Sequence, residues 1–533
     1  MKIRAMVMML SLVASGAVHA STDHARSDGR EPVVDTDRGP VIGVVDGGIQ
    51  TFKGIPYAQA PVGELRWLPP QPHARWDTPL HADHFSATCA TGYTLGGFGK
   101  LSSSEDCLYL NVFVPRGHAA RGRLPVMVWI HGGGLGTGSG NDYSPHPVVD
   151  HGVILVTFNY RLGTFGYFSH PAINREHHPG VNYGTLDQQA VLKWVQRNIW
   201  RFGGDNRNVT IFGESAGGHS VLAQMVSPAA KGLFQRAIVE SGAYGLRQPS
   251  LKEANVWGRK IASDLGCGDG EDDSVASCLR KASTEAILQH GTNRLPIAQV
   301  YVDGTIIPSD FIDAFQAGRF LRVPVINGYN ENEGAFFAGL AELQRKRPIA
   351  ERDTREALVG SFGPRIGASL YNIANFPPGA TDVTQKYASF FGRSKFICSS
   401  ILTSAILSRY VPVYAYDFAD ESAPPLLDQA SIPYGAAHTS ELQYLFSGFH
   451  GDSGHQTPLN ARQRQLADRM TSNWTTFARS GSPNASGADR WKRFDETNEE
   501  TLRYTANGAT AIRAASTHFR CDDVAKALVL PRL

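Results

Sequence analysis

The stretch Val209-Thr210-Ile211-Phe212-Gly213-Glu214-Ser215-Ala216-Gly217 decides how the rest of the chain is read. Its first four residues are β-branched or aromatic and suit a buried strand, and Gly218 to Val226 is compatible with a helix. Strand, tight turn and helix together make a nucleophile elbow, in which a serine Oγ points out of the sheet with a helix N-terminus behind it. A turn that sharp leaves little room beside the serine, which is the steric reason for glycine on either side. In a chain with 55 glycines the pentapeptide alone is a modest signal, so its surroundings have to carry the inference.

Upstream, the apolar run Leu124 to Ile130 leads directly into His131-Gly132-Gly133-Gly134. Consecutive glycines let backbone N–H groups face a developing alkoxide without side-chain obstruction, so Gly133 and Gly134, with Ala216 after the serine, are candidate oxyanion donors. The bland alternative is a flexible loop running on through Gly136, Gly138 and Gly140. Val153 to Phe158, Ala237 to Glu240 and Val323 to Asn327 are further continuous apolar runs, as strands buried on both faces require. Between them, Leu186 to Phe202 spaces Val191, Trp194, Val195, Ile199 and Phe202 as an amphipathic crossover helix does. The alternation predicts an α/β protein with a mostly parallel central sheet flanked by helices. The charged, helical region from Ala335 to Pro377 reads as an insertion over one end of that sheet.

A serine hydroxyl is a poor nucleophile near neutral pH unless a histidine takes its proton and an acid holds the histidine's tautomer. The chain order of this architecture is Ser, acid, His, and two segments fit it. Gly328-Tyr329-Asn330-Glu331-Asn332-Glu333-Gly334 supplies the acid, and Gly435-Ala436-Ala437-His438-Thr439 follows the candidate strand Val411 to Phe418. Spacing does not separate Glu331 from Glu333, and with 18 histidines it selects His438 only weakly.

At 533 residues, 42% hydrophobic and 19% charged, the chain has material for a large core, and a net charge of +2 offers no field for holding nucleic acid. Residues 1–20 read as a cleaved export signal: Lys2 and Arg4, then an apolar run to Val18, then a small-residue site before Ser21. The polar stretch Ser21 to Arg30 reads as mobile, and no later segment is long and apolar enough to span a bilayer. Six cysteines in an exported chain allow fifteen pairings. Cys89 and Cys107 enclose a Gly- and Ser-rich loop, Cys267 and Cys278 an acidic Gly-rich one, and Cys398 and Cys521 stand far apart. Glu176-His177-His178 lacks an i, i+4 partner and reads as a solvated loop rather than a metal site, and no cofactor motif is evident.

These blocks resemble the type-B carboxylesterase and lipase family, which includes the cholinesterases. The resemblance runs from Thr51-Phe52-Lys53-Gly54-Ile55-Pro56-Tyr57-Ala58 to Trp474 and Phe477-Ala478. It is most specific at Glu105-Asp106-Cys107-Leu108-Tyr109-Leu110-Asn111-Val112, Asn159-Tyr160-Arg161-Leu162-Gly163 and Phe202-Gly203-Gly204-Asp205. It implies an α/β-hydrolase fold over residues 21–533 as one domain, with the helical insertion capping an active-site gorge. It implies Ser215, Glu333 and His438 as a catalytic triad, and Gly133, Gly134 and Ala216 as the oxyanion hole. Glu214, Ser241 and Glu441 resemble the family's supporting groups around that triad. The pairs Cys89–Cys107 and Cys267–Cys278 follow from the same resemblance, and Cys398–Cys521 matches a bridge found in part of the family.

Departures from the pattern narrow the expectation. Ala90 to Asp106 holds no tryptophan to receive a choline cation, Leu135 replaces a common aromatic, and Thr439 replaces the glycine that commonly follows the histidine. The expected activity is that of a secreted or periplasmic serine hydrolase acting through an acyl-enzyme on small to medium, largely uncharged esters, without cofactor or metal. An amidase using the same triad, or a non-catalytic adhesion protein on the same scaffold, are the alternatives. Oligomeric state is not legible.

Overall fold

A computed structural model describes residues 31–522, apart from 96–97, 118–121, 177–180, 292–298, 363–381, 429, 447–456 and 486–490. The expected export signal, the stretch Ser21 to Arg30, His177 and His178 lie outside the described residues, as does the end of the expected insertion.

An eleven-stranded sheet organises the described residues. In chain order its strands are β1 (Val44–Asp46), β2 (Ile49–Pro56), β3 (Tyr109–Pro115), β4 (Leu124–Ile130), β5 (Ile154–Phe158), β6 (Gly204–Glu214), β7 (Arg236–Glu240), β8 (Val325–Asn330), β9 (Val413–Phe418), β10 (Thr501–Thr505) and β11 (Gly508–Ile512). Across the sheet they lie in the order β11-β10-β9-β8-β7-β6-β4-β5-β3-β2-β1. Pairing is parallel from β10 through β5 and antiparallel at the two margins. A small separate sheet joins Val33–Asp35, Pro40–Ile42 and Leu80–His81.

Strand β4 is the pivot: all seven of its residues are buried, as a strand covered on both faces demands. Its side chains alternate between two apolar layers. Val126, Val128 and Ile130 join one cluster, whereas Met127 and Trp129 join the other. Helix α1 (Tyr183–Asn198) and helix α2 (Ala216–Val226) cover the first face. Helix α6 (Ala461–Ser480) covers the second with Leu466, Met470, Trp474 and Phe477, a helical spacing. It begins at a capping box between Asn460 and Gln463 and stops at Gly481, whose φ of 79° is left-handed. Because β5 lies on one side of β4 and β6 on the other, the chain reverses direction across the sheet here. The carboxyl ends of strands beside such a switch point leave a crevice where ligands bind.

Several expected boundaries shift. The crossover helix begins at Tyr183 rather than Leu186 and is α-helical only to Asn198, with a 3-10 turn from Ile199 to Phe202 ended by Gly203 at φ 86°. Its first turn is buried all round, so it carries no amphipathic signal. Strand β8 starts at Val325 and runs on to Asn330, because Gly328 to Asn330 continue the pairing with Tyr416 to Phe418. In the expected insertion, helix α3 (Glu333–Arg345) starts two residues early, at the buried Glu333, and is followed by Glu351–Phe362. Helix α3 packs on helix α4 (Val383–Gly392) in a third apolar cluster.

All six cysteines are paired, as Cys89–Cys107, Cys267–Cys278 and Cys398–Cys521. The last spans 123 residues of chain against 11 for the second. In the loop-entropy account, closing the longer loop is worth about 5 kcal/mol and the shorter about 3. Replacing Cys398 and Cys521 by alanine is therefore expected to lower stability in urea unfolding by about 2 kcal/mol more than replacing Cys267 and Cys278. Equal losses would contradict that account.

Candidate active site

Four parallel strands deliver the site. Strand β6 ends at Glu214, and Ser215 caps helix α2 with φ 53° and ψ −120°, a conformation that non-glycine residues rarely adopt. The Ser215 N–H donates to Glu240 O at the end of β7, at 2.8 Å, which anchors the turn. Glycine at position 217 is obligatory on steric grounds, since a Cβ there would lie 1.9 Å from the Ile130 carbonyl oxygen.

From the end of β4, Gly133 at φ 101° and Gly134 at φ 64° turn the loop beside the serine. Gly133 O accepts from the Gly136 and Thr137 amides. The Tyr160 hydroxyl donates to His131 O, and the His131 ring stacks on Tyr160 and donates from Nδ1 to Gly132 O. Burial pushes His131 down to about 4, so it braces the loop as a neutral ring.

His438 Nε2 lies 2.9 Å from Ser215 Oγ, and His438 Nδ1 lies 2.6 Å from Glu333 Oε2. Glu333 Oε1 accepts from Ser241 Oγ at 2.6 Å and from the Asn330 N–H at 2.9 Å, so both carboxylate oxygens are engaged. Glu331, two residues away, instead pairs with Arg503 at 2.8 Å. Such a line can pass a proton from hydroxyl to imidazole while the carboxylate stabilises the resulting cation. The aromatic side chains Phe336, Phe337 and Phe396 pack around His438 with ring centroids 6.0, 5.0 and 4.7 Å away.

Beneath the line lies a group of buried acids. Glu214 Oε1 is 3.2 Å from His438 Nε2, but burial and the nearby Glu441, Glu333 and Glu240 push its carboxyl well above the usual range. Burial therefore disfavours the ionised form of Glu214 at this approach to the imidazole. Burial likewise raises Glu441, whose Oε2 accepts from Asn330 Nδ2 at 2.5 Å. Glu240 accepts from the Trp474 indole N–H at 2.9 Å and is pushed up to about 8 by burial. Asn330, Glu240 and Trp474 were not among the expected site residues. The sheet order alone would have pointed to Glu240, since it ends the strand beside the serine's.

Ser215 and His438 open into a cavity of about 560 Å³ that Gly133, Gly134, Leu135 and Thr439 also line. Thr439 holds φ 72°, which explains why glycine is common at this position. Helices α3 and α4 contribute Phe336, Phe337, Leu340 and Phe391 to the wall. Glu176 of the expected solvated loop pairs with Arg280, and among the described residues no group of three or more His, Cys, Asp or Glu could hold a metal.

Residues 30–521 match the family model described as "Carboxylesterase family". The chain belongs to the carboxylesterase family. It is an enzyme of the carboxylic ester hydrolase class. The chain is 33% identical over 496 residues to a fumonisin B1 esterase of Sphingopyxis macrogoltabida, covering 89% of this chain and 87% of that protein. It is 33% identical over 484 residues to the para-nitrobenzyl esterase of Bacillus subtilis (strain 168), with 88% and 94% covered. A solved structure of a thermophilic PNB esterase superposes with a TM-score of 0.79 at 29% identity, covering 93% of this chain and all of that one. These likenesses carry the α/β-hydrolase fold across nearly the whole chain.

The buried acids of the esterase make a pH prediction. The folded-state value of Glu240, about 8, lies above its ordinary 4.5, so the folded form holds a proton that the unfolded form gives up. Stability contributed by the protonated carboxyl is complete below about pH 4.5 and is lost as pH rises through about 8. Glu240→Gln keeps an oxygen for the Trp474 indole and removes the titration. Its stability relative to wild type is expected to increase between pH 5 and pH 8.5 in chemical unfolding. A constant difference across that range would mean that Glu240 is ionised in the fold.

Proposed function

We propose that the protein hydrolyses small to medium esters through a covalent acyl-enzyme, with Ser215 as nucleophile, His438 as general base and Glu333 as the acid that orients it. The observation that carries this reading is the unbroken line from Glu333 through His438 to Ser215 Oγ, with both contacts within 2.9 Å, at the wall of an aromatic cavity. His438 removes the hydroxyl proton as Oγ attacks the ester carbonyl. The oxyanion meets the backbone amides of Gly133, Gly134 and Ala216, and His438 then protonates the departing alkoxide. Water repeats the sequence to release the acid. Ser241 and Asn330 hold Glu333 in place, and burial raises the carboxyls of Glu214 and Glu441 beneath it. The scissile half of the substrate is uncharged and apolar, in keeping with the phenylalanines around His438.

The same reading makes residues 1–20 a cleaved export signal, and the remaining chain a single domain in the periplasm or outside the cell. Three disulfides support it, because such bonds persist in oxidising compartments, and the residues from Pro32 on group into one compact unit. Among the described residues no helix is long and apolar enough to cross a membrane. The intact mass of the exported protein is expected to correspond to a chain beginning at or near Ser21. A mass that retains Met1 would overturn the cleavage.

A series of p-nitrophenyl esters from acetyl to long-chain acyl tests the chemistry. Turnover is expected to peak at intermediate acyl length, with kcat lowered about a millionfold in Ser215→Ala and about ten-thousandfold in Glu333→Gln. A well-folded wild type that turns over none of the series would sink the hydrolase mechanism.

A further inference from the structure

The cavity beside Ser215 has an open end and a closed end. Arg247, Gln299 and Gln344 line it and are exposed, which marks the mouth. Half-buried Phe337 leads inward from there. Phe396, on the turn before helix α5 (Cys398–Ser408), carries the aromatic wall up to the base, its ring 5.4 Å from Phe337 and 4.7 Å from His438. Leu135, Glu214, Thr439 and Leu442 also line the cavity and are all buried, so they close its other end.

Within this closed end Thr439 is the residue at odds with its surroundings. It follows His438 directly and holds φ 72°, where a β-branched side chain is crowded against its own backbone. Its Oγ1 is buried with no hydrogen-bond partner among the described residues, which is a second cost. Glycine would carry neither. Strain of this kind clusters at sites that use it. What threonine adds over glycine is bulk, the three atoms Cβ, Oγ1 and Cγ2 next to the base.

The position of the base decides which half of an ester meets that bulk. The departing oxygen takes its proton from His438 Nε2, the nitrogen 2.9 Å from Ser215 Oγ. Glu214 Oε1 approaches the same nitrogen at 3.2 Å, and Glu214 belongs to the closed end. An alcohol leaving from Nε2 therefore starts in the closed end, with its first carbon beside Thr439, while the acyl half runs along the aromatic wall toward the mouth. We infer that Thr439 is a specificity-determining residue for the alcohol half. The esterase takes esters whose oxygen-bearing carbon is a CH2 group or part of a flat ring, and Thr439 excludes those in which that carbon is tetrahedral and branched. The inference rests on the hydrolase reading above and deepens it, and it places no such limit on the acyl half.

Isomeric esters of equal composition test this. For the alcohol half the pair is tert-butyl and n-butyl butyrate. For the acyl half it is methyl 2,2-dimethylpropanoate and methyl pentanoate, each followed by titration of the acid released. The readout is the ratio of kcat/KM for the branched over the linear isomer, in which general effects on folding or chemistry cancel. Thr439→Gly is expected to raise the alcohol-half ratio about tenfold or more and to leave the acyl-half ratio as in the wild type. Glycine relieves the backbone at this position, so that variant is expected to fold at least as stably as the wild type in urea unfolding. Thr439→Val, which keeps the shape and loses the hydroxyl, is expected to keep both ratios near those of the wild type. An unchanged alcohol-half ratio in Thr439→Gly, or a shift of the acyl-half ratio in its place, would overturn the role of Thr439 while ester hydrolysis stands. A matching rise in Thr439→Val would give the selectivity to the hydroxyl and overturn the steric basis. A well-folded wild type inert toward these four esters and the p-nitrophenyl series would overturn the hydrolase mechanism beneath it.

Discussion

At Gly217 the first turn of helix α2 comes so near the end of strand β4 that a single added carbon would collide with the Ile130 carbonyl. This approach brings the serine turn and the glycine loop side by side. Ser215 can then hold a left-handed φ because its N–H is tied to Glu240 O and the helix behind it is wedged against β4. Strain at one residue is tolerated where the surrounding structure leaves no alternative. The fully buried β4, alternating its side chains into two apolar layers, is what makes that surrounding structure rigid.

The electrostatics depend on the same burial. Glu214, Glu240 and Glu441 lie beneath the serine and histidine with little water to solvate them, and desolvation is the largest influence on each. Three ionised carboxylates in so small a volume would repel one another and Glu333. Burial works against that by raising all three carboxyls, while Glu333 has hydrogen bonds to both of its oxygens and is the acid that touches the imidazole Nδ1.

Much of this arrangement is legible in the sequence, and the parts that are not have physical reasons. The continuous apolar runs reveal β4 to β7 because strands buried on both faces have no polar side to disguise them. Ser215 stands out through its flanking glycines. The choice between Glu331 and Glu333 is not local: it depends on Glu333 opening helix α3 toward His438, while Glu331 meets Arg503 from a distant strand. Asn330 and Glu240 gain their roles only from strand order and register. The early start of helix α1 is hidden too, since a turn buried on every side has no face at all.

The serine and the histidine it touches are 223 residues apart, and the histidine and its carboxylate 105 apart, each following a different strand in the chain. None of the pairings can form within a local fragment. A growing or truncated chain that stops short of Glu333 and His438 carries the serine but not its proton acceptor. Turnover consequently reports on assembly of the sheet as far as β9, so that an unfinished chain is chemically silent toward esters and activity becomes a measure of complete folding.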